Sequence, residues 1–405
     1  MPENTLSVAV IGAGMAGRTH ANAWRQVRTV FGTRGVPQVR LAAICDAYLP
    51  FATDAANSYG YERATSDWHE IVEADDIDIV SIVVANKLHR EIALANKLHR
   101  EIALALMAAG KHVLCEKPLS DNLDDAAAMA AAAADASVVS GIGFGYRRHP
   151  AIAEIAELAN SGALGEILHF DGRYWCDYGA DPQVPIAWRY RGPMGSGALG
   201  DVGSHITDLA ELVAGPIASV SGGSFATVIA KRPPAVEGLA GGRGAAGDAE
   251  ATETVENDDI AEFNMHFASG AIGSISVSRV AFGMPNALCF HVFGTQGHAS
   301  FDLARSGEIK LDDTNSPAGL RGPKQVLTNP SFPYYKGGSS MDFAGVGNTQ
   351  IEQFTYQARA FLDQVIGLDE GLPPVPSFAH GYRAMHIQDA VATSAGRGGA
   401  SVEIK

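Results

Sequence analysis

A glycine-rich hexapeptide near the N-terminus constrains the fold of this chain more than any other feature of its sequence. Gly12-Ala13-Gly14-Met15-Ala16-Gly17 follows the short apolar run Leu6–Ile11 and opens a helix-like stretch from about Gly14 to Val27. In such a strand–turn–helix unit the first glycine permits the tight turn, the second lets a ligand approach the backbone, and the third lets the helix pack on the strand. The N–H groups of the helix N-terminus then face the phosphates of the ligand. The pattern predicts a Rossmann domain that binds a dinucleotide through Gly12, Gly14, Met15, Ala16 and Gly17.

The segments that follow predict a doubly wound parallel sheet within residues 1–140. Apolar, strand-like runs alternate there with helical segments such as the alanine-rich Asp121–Ala136. Continuous apolar strands separated by helices are typical of a parallel sheet that is covered on both faces. The predicted strands are Leu6–Ile11, Val39–Cys45, Ile77–Val84, His112–Cys115 and Ser137–Phe144.

Residues 141–405 have a different pattern and predict a second, α+β domain. Segments of alternating apolar and polar residues are separated by turns that contain Gly and Asn, which favours a large, open, mostly antiparallel sheet. At 405 residues the chain is also longer than one hydrophobic core usually supports. We expect this domain to carry the substrate site and a subunit interface. Its predicted strands are Ile167–Trp175, Asp259–Phe267, Ala271–Val280 and Leu288–Phe293, and its predicted helices are Ala151–Asn160, Gln353–Val365 and Gly381–Ser394.

Composition and charge exclude several classes of partner. The formal net charge of -15 argues against a nucleic-acid surface, because phosphate binding needs clustered Lys and Arg. No apolar run approaches the ~18 residues needed to cross a bilayer, and the N-terminus reaches a strand without a cleavable apolar segment. The cysteines are scattered without CxxC spacing, and the histidines do not join them in a metal-binding pattern. We expect a cytoplasmic enzyme that has no metal site and no membrane or nucleic-acid partner.

Asp46, at the end of the second predicted strand, favours NAD over NADP as the cofactor. Its carboxylate would accept hydrogen bonds from the adenosine ribose hydroxyls and repel a 2′-phosphate. No Arg or Lys follows it directly in Asp46-Ala47-Tyr48. Asp46 is further from the glycines than the usual ~20 residues, and we expect a loop insertion over Arg28–Pro37 to be the cause. A solvated Asp in a turn is the alternative.

Two stretches stand apart from this pattern. Val236–Asp258 is rich in Gly, Ala and acidic residues without apolar periodicity, and we expect a mobile surface loop with no chemistry of its own. Residues 85–94 (ANKLHREIAL) are repeated letter for letter at 95–104, which indicates a recent tandem duplication. Ten extra residues miss a whole number of helical turns by roughly 80°. Only one copy is therefore expected to continue the strand–loop–helix, and the sequence leaves open which of His89 and His99 takes a given role.

Five segments resemble one known family. They are GAGMAGRTH (12–20), AGKHVLCEKP (109–118), GFGYRRHPA (143–151), GALGDVGSHITDLAELVAG (197–215) and SFAHGYRAMHIQDAVATSAGRGGASVEI (377–404). Together they are similar to the glucose-fructose oxidoreductase and inositol dehydrogenase family, often written Gfo/Idh/MocA. The likeness covers nearly the whole chain, with the duplication and the acidic stretch outside it.

The resemblance implies a catalytic group formed by Lys117, Asp201 and His205. In that family the Lys of the E-K-P motif, here Lys117, lies between nicotinamide and the reacting hydroxyl, where it stabilises negative charge on oxygen. The family's D-x-x-x-H motif matches Asp201–His205, and a helical i, i+4 spacing would put both side chains on one face. His205 would act as the general base, while Asp201 would orient the substrate and stabilise the proton relay.

Further positions around the cofactor and substrate are implied in the same way. Tyr146-Arg147 match a pair that is expected to line the substrate cavity, and Trp188-Arg189 match an element near the nicotinamide end of the site. The alternative is that Tyr146 and Trp188 simply cap the sheet. Glu116 and Lys117 are implied on the cofactor side. Where the family often reads T-P-N-x-x-H, the chain has Val84-Ala85-Asn86-Lys87-Leu88-His89, so Asn86 is implied at the nicotinamide ribose without the motif's proline.

The activity implied by the resemblance is NAD-dependent oxidation of a secondary hydroxyl of a sugar, glycoside or cyclitol. The run 278–311 looks most like members that oxidise pyranoses or inositols, including levoglucosan and glycoside 3-dehydrogenases. Two alternatives remain at this point. One is an enzyme whose bound NAD is recycled within a turnover, as in a sugar–sugar oxidoreductase or in oxidation-assisted glycoside cleavage, and the other is a non-catalytic NAD-binding regulator. A homodimer or homotetramer through the open sheet face is also implied.

Overall fold

The first strands of the chain form a six-stranded sheet in a computed structural model that describes residues 5–32, 35–84, 98–234, 251–314, 316–335, 341–369 and 372–404. The strands are β1 (Thr5–Ile11), β2 (Gln38–Cys45), β3 (Arg63–Thr65), β4 (Ile79–Ile82), β5 (His112–Glu116) and β6 (Ser140–Gly143). Neighbouring strands pair in parallel, in the order β3-β2-β1-β4-β5-β6. The central strands are buried on both faces, which explains their unbroken apolar runs. The predicted doubly wound parallel sheet is confirmed.

Helices flank this sheet, and the first is longer than predicted. They are α1 (Met15–Phe31), α2 (Leu49–Tyr59), α3 (His69–Glu73), α4 (Leu98–Ala108), α5 (Leu123–Asp135) and α8 (Gln350–Ile366). Because α1 runs to Phe31, the predicted loop over Arg28–Pro37 is wrong in its first part. The extra turn is stabilised by Phe31, whose buried ring contacts the ring of Tyr356 on α8 at a centroid distance of 5.9 Å.

Strand boundaries account for the other differences in this region. β3 has no counterpart among the predicted strands, because its three residues include only one buried side chain and no apolar run. The predicted strands Ile77–Val84 and Ser137–Phe144 are the shorter β4 and β6. Apolar residues continue past the last hydrogen-bonded pair of each strand. The apolar run in the sequence is therefore longer than the strand itself.

The later strands build a nine-stranded mixed sheet. They are β7 (Ile167–Trp175), β8 (Ile217–Ala226), β11 (Ile260–Phe267), β12 (Ile272–Ser278), β13 (Ala287–Gly294), β14 (Gly297–Asp302), β15 (Glu308–Asp313), β16 (Lys324–Leu327) and β17 (Val402–Glu403). Their order is β16-β15-β14-β13-β7-β12-β11-β8-β17, and the pairs are antiparallel except for β7 with β12. Side chains alternate between buried and accessible along β11 and β13, as a sheet with one open face requires.

The helices α6 (Pro150–Asn160) and α7 (Ser204–Ala214) pack on the buried face of this sheet, and α9 (Phe378–Gly396) precedes β17. β9 (Lys231–Arg232) and β10 (Glu253–Thr254) form a separate, two-stranded antiparallel sheet. β10 and the buried Val255, Asn257 and Asp258 lie inside the stretch that was expected to be a mobile loop. That expectation is wrong for residues 253–258, which are anchored by strand pairing and burial; residues 236–250 lie outside the described part of the chain.

The chain divides into two compact units. The first comprises Met1–His149, Pro333–Asp342 and Thr349–Met385, and the second comprises Pro150–Phe332, Phe343–Asn348 and His386–Lys405. The domain boundary drawn between residues 140 and 141 stays a prediction. Among the described residues, no helix is both long enough and apolar enough to span a bilayer.

Candidate active site

The three glycines of the N-terminal loop have different surroundings. Gly12 has φ +110, and a Cβ there would lie 2.4 Å from the carbonyl oxygen of Val83, while a Cβ at Gly17 would lie 1.8 Å from the carbonyl oxygen of Gly12. A Cβ at Gly14 would meet nothing within 4 Å. Gly12 and Gly17 are thus required by close packing within the protein, whereas Gly14 faces open space at the start of α1.

That open space has the features of a diphosphate site. Gly14 is the N-cap of α1 and has no side chain to satisfy the first N–H groups of the helix. Met15, the first residue of α1, is 72% exposed, and Ala16 follows it as a half-buried residue. The first turn of α1 contains no acidic residue that would repel a phosphate. These features fit the pyrophosphate of NAD.

Asp46 joins the glycine loop to the end of β2. Its Oδ2 accepts a hydrogen bond from the backbone N–H of Ala13 at 2.7 Å, and its Oδ1 accepts one from the N–H of Tyr48 at 2.9 Å. A carboxylate oxygen has about two lone pairs, so each of these oxygens retains acceptor capacity for a ribose hydroxyl. The structure therefore places Asp46, the residue predicted to bind the adenosine ribose, beside the glycine-rich loop predicted to bind the phosphates.

Glu116, the last residue of β5, belongs to a buried polar chain. Its Oε1 lies 2.9 Å from Nε2 of His20, and Nδ1 of His20 lies 3.3 Å from the hydroxyl of Ser81. The indole N–H of Trp24 donates to the same hydroxyl at 2.9 Å. A Cβ at Gly143 would lie 2.3 Å from Oε1 of Glu116, so this glycine makes room for the carboxylate. This series of hydrogen bonds fixes Glu116, which directly precedes Lys117. Contact of Glu116 with the cofactor stays a prediction.

His99 packs against the turn that contains Lys117 and Pro118, whose peptide bond is cis. The ring is buried, with Nε2 3.0 Å from the carbonyl oxygen of Val84 and Nδ1 3.2 Å from that of Pro118. Burial lowers the pKa of His99, which favours the neutral ring. The second copy of the repeat thus continues into α4, while Asn86 and His89 lie outside the described residues. The sequence alone does not distinguish His99 from His89 in this position.

Asp201 and His205 lie where two kinds of helix join. Asp201 is in a π-helical turn, Leu199–Gly203, and His205 is in the first turn of α7. The predicted regular α-helical spacing is therefore wrong in detail, because π turns close i to i+5 bonds. Tyr178 donates its hydroxyl to Oδ2 of Asp201 at 2.7 Å, and Nε of Arg189 donates to the same oxygen at 3.1 Å. Such single π turns often occur at functional sites.

Comparison with known proteins decides the family. Residues 6–144 match the family described as "Oxidoreductase family, NAD-binding Rossmann fold", and residues 152–300 match the "GFO/IDH/MocA C-terminal domain". The chain belongs to the Gfo/Idh/MocA family. It is an NAD-dependent oxidoreductase, so the predicted family, fold class, cofactor and enzymatic nature are confirmed.

Relatives with named activities act on sugars and cyclitols. The chain is 35% identical to a levoglucosan dehydrogenase of Pseudarthrobacter phenanthrenivorans, over 97% of this chain and 96% of the relative. It is 27% identical to a myo-inositol 2-dehydrogenase of Thermotoga maritima, over 78% of this chain and 81% of that protein. A solved structure of levoglucosan dehydrogenase in complex with NADH and levoglucosan has a TM-score of 0.86 and 32% identity, and the match covers 99% of this chain and 100% of that chain.

The remaining residues suggested by the family resemblance are found in two places. Tyr146 is buried in a 3₁₀ turn, Gly145–Arg148, and Nη2 of Arg147 donates to Nε2 of His380 at 2.7 Å. The guanidinium of Arg189 lies 4.2 Å from the ring centroid of Trp188. Contacts of these four residues with substrate or cofactor stay predictions. Among the described residues, no three His, Cys, Asp or Glu side chains are grouped so as to hold a metal ion.

One supporting residue, Asp258, lies at the end of the stretch that is predicted from the sequence to be a mobile loop. Asp258 is fully buried, and its carboxylate accepts backbone N–H bonds from Gly195 at 2.8 Å, Gly197 at 3.0 Å and Leu199 at 2.8 Å. These bonds fix the segment that leads into the π turn of Asp201. The only sequence signal is a run of four polar residues, Glu256–Asp259, directly before the apolar alternation of β11.

Proposed function

We propose that this enzyme oxidises a secondary hydroxyl of a pyranose, anhydrosugar, glycoside or cyclitol to the ketone. The observation that carries the proposal is the carboxylate of Asp201, which two donors hold one turn before His205. The chain that carries it is similar to a levoglucosan dehydrogenase over nearly its full length. A polar acceptor fixed in this way recognises hydroxyl groups, which sugars and cyclitols offer in number. The alcohol, CH–OH, loses one proton and one hydride in the reaction.

Each proposed residue has a separate task. NAD⁺, when bound, would supply the hydride acceptor for the oxidation of the substrate carbon. His205 takes the hydroxyl proton, since a neutral imidazole is a suitable base near neutral pH. Asp201 accepts a hydrogen bond that orients the substrate and favours the protonated His205 once it forms. Lys117 stabilises the negative charge that develops on the hydroxyl oxygen as its proton leaves.

A screen of substrates tests the reaction class. Purified enzyme is incubated with NAD⁺ and inositols, monosaccharides, anhydrosugars or glycosides, and NADH is followed by its absorbance. We expect NADH to accumulate with at least one ring polyol. Tightly copurifying NAD without accumulation of NADH would instead favour an enzyme that recycles its cofactor within each turnover.

Substitutions test the proposed residues. Lys117→Ala and His205→Ala should each lower kcat by at least about 100-fold while the Kd for NAD, measured by calorimetry, changes little. His266→Ala provides the control, because His266 is an exposed histidine on β11. Turnover near the wild-type rate in either site variant would contradict the proposed mechanism.

A further inference from the structure

Two donors converge on one oxygen of Asp201. The hydroxyl of Tyr178 and Nε of Arg189 both donate to Oδ2, at 2.7 Å and 3.1 Å. The side chains of Asp201 and Arg189 are only 16% and 23% exposed, so water competes weakly for these bonds. We propose that Tyr178 and Arg189 are positioning residues that fix the orientation and the negative charge of Asp201. This inference rests on the role of Asp201 in the function proposed above.

The two donors restrict the carboxylate in complementary ways. Two bonds to the same oxygen hold the carboxylate against rotation about its Cβ–Cγ bond. Both hydrogen bonds stabilise the negative charge on this carboxylate, and the guanidinium adds a positive charge beside it. Burial, and then the nearby charge of Asp201, raise the pKa of Tyr178, so its hydroxyl stays protonated and remains a donor at neutral pH. Asp201 is thereby kept as an oriented acceptor.

The main chain of Arg189 is anchored independently of any ligand. Its carbonyl oxygen accepts hydrogen bonds from Nη1 of Arg279 at 2.5 Å and from Nδ2 of Asn257 at 3.1 Å. Arg279 pairs with Asp259 at 2.8 Å, and both side chains are fully buried. The guanidinium of Arg189 also packs over the ring of Trp188, in a cation–π contact. Little freedom therefore remains for Arg189 to swing away from Asp201.

Both partners of the ion pair depend on the same short segment. Asn257 donates to the carbonyl oxygen of Arg189 directly, and Asp259 holds Arg279, which donates to the same oxygen. Asp258, between them in sequence, fixes the backbone that leads into the turn of Asp201. A charged pair built on one rigid support is preorganised, because its geometry costs nothing further when substrate binds. This geometry points to Arg189 acting through Asp201, in place of the cofactor contact implied by the family resemblance.

The test compares conservative variants in two backgrounds. Tyr178→Phe and Arg189→Lys should each lower kcat tenfold or more, with the Kd for NAD and the melting temperature close to wild type. In an Asp201→Asn background, followed over long incubations, neither substitution should lower kcat further, because its effect passes through the carboxylate. Arg191→Lys is the matched control, since Arg191 lies two positions away and pairs with Glu253.

The outcomes separate this inference from the proposed function. If Asp201→Asn loses turnover but Tyr178→Phe and Arg189→Lys retain wild-type kcat, the positioning role is overturned and the proposed function stands. Equal losses with and without the Asp201 carboxylate, or a weaker Kd for NAD in Arg189→Lys at unchanged kcat, would also overturn it. If Asp201→Asn keeps full turnover, the role proposed for Asp201 itself is wrong.

Discussion

The three glycines of the N-terminal loop serve two different purposes, stability of the fold and cofactor binding. Gly12 and Gly17 are pressed against main-chain carbonyl oxygens, and Gly14 faces open space. All three match one sequence motif, yet only two of them are required by the packing of the protein itself. The third is explained by a ligand that must come close to the backbone.

Alanine substitutions should therefore have opposite consequences at Gly17 and Gly14. Gly17→Ala should lower the free energy of unfolding by more than about 3 kcal/mol, because its Cβ would overlap the carbonyl of Gly12. Gly14→Ala should change that free energy by about 0.5 kcal/mol or less, and should weaken the Kd for NAD at least tenfold because its methyl occupies the phosphate's approach. Thermal melts and calorimetry measure the two effects. A destabilised Gly14→Ala that binds NAD normally would refute this assignment.

The duplicated segment contains two histidines, His89 and His99, at equivalent positions of its two copies. His89 and His99 have identical neighbours in sequence, but among the described residues it is His99 that contacts the carbonyl oxygens of Val84 and Pro118. Removing residues 85–94 would join Val84 directly to Ala95 and leave four residues before His99. Four residues span at most about 14 Å when extended, which is ample for a ring that already touches the carbonyl of Val84.

We expect the deletion of one copy to preserve turnover and to raise the stability by about 1 kcal/mol, since a shorter connection loses less entropy on folding. Full-length His99→Ala should lower the free energy of unfolding by about 2 kcal/mol, because the buried ring is lost together with the hydrogen bond that its single N–H donates to a main-chain carbonyl oxygen. His89→Ala is the matched control and should melt like wild type. A deletion variant that is inactive, or a larger loss in His89→Ala than in His99→Ala, would show that the first copy is needed.

How far the sequence predicts an element depends on what stabilises it. The parallel strands and α1 follow from local apolar patterns, and the predicted strands and helices are largely in place. The π turn of Asp201 has no such pattern, because it is fixed by Asp258, about 60 positions further along the chain. The contact of Tyr178 with Asp201 spans 23 positions. Motifs identified Asp201 and His205, but long-range hydrogen bonds decide how Asp201 is held.

The nine-stranded sheet has one accessible face. In the described parts of the second unit, α6 and α7 pack on one face of this sheet. The other face presents Trp175 with the guanidinium of Arg173 5.0 Å from its ring centroid, and a shallow cavity of about 350 Å³ beside them. The exposed Ile272 and Phe293 lie on the same face.

We propose that this face joins two copies of the chain, as the predicted homodimer or homotetramer requires. Aromatic residues and Arg are enriched at protein interfaces, and apolar side chains on an open sheet lose contact with water when a second sheet covers them. Phe293→Asp should therefore shift the mass measured by light scattering towards the monomer, because a buried charge without a partner is costly. Phe282→Asp is the matched control: Phe282 is 92% exposed and lies between β12 and β13, outside the strands of the sheet. A monomeric wild type, or dissociation by Phe282→Asp alone, would place the interface elsewhere.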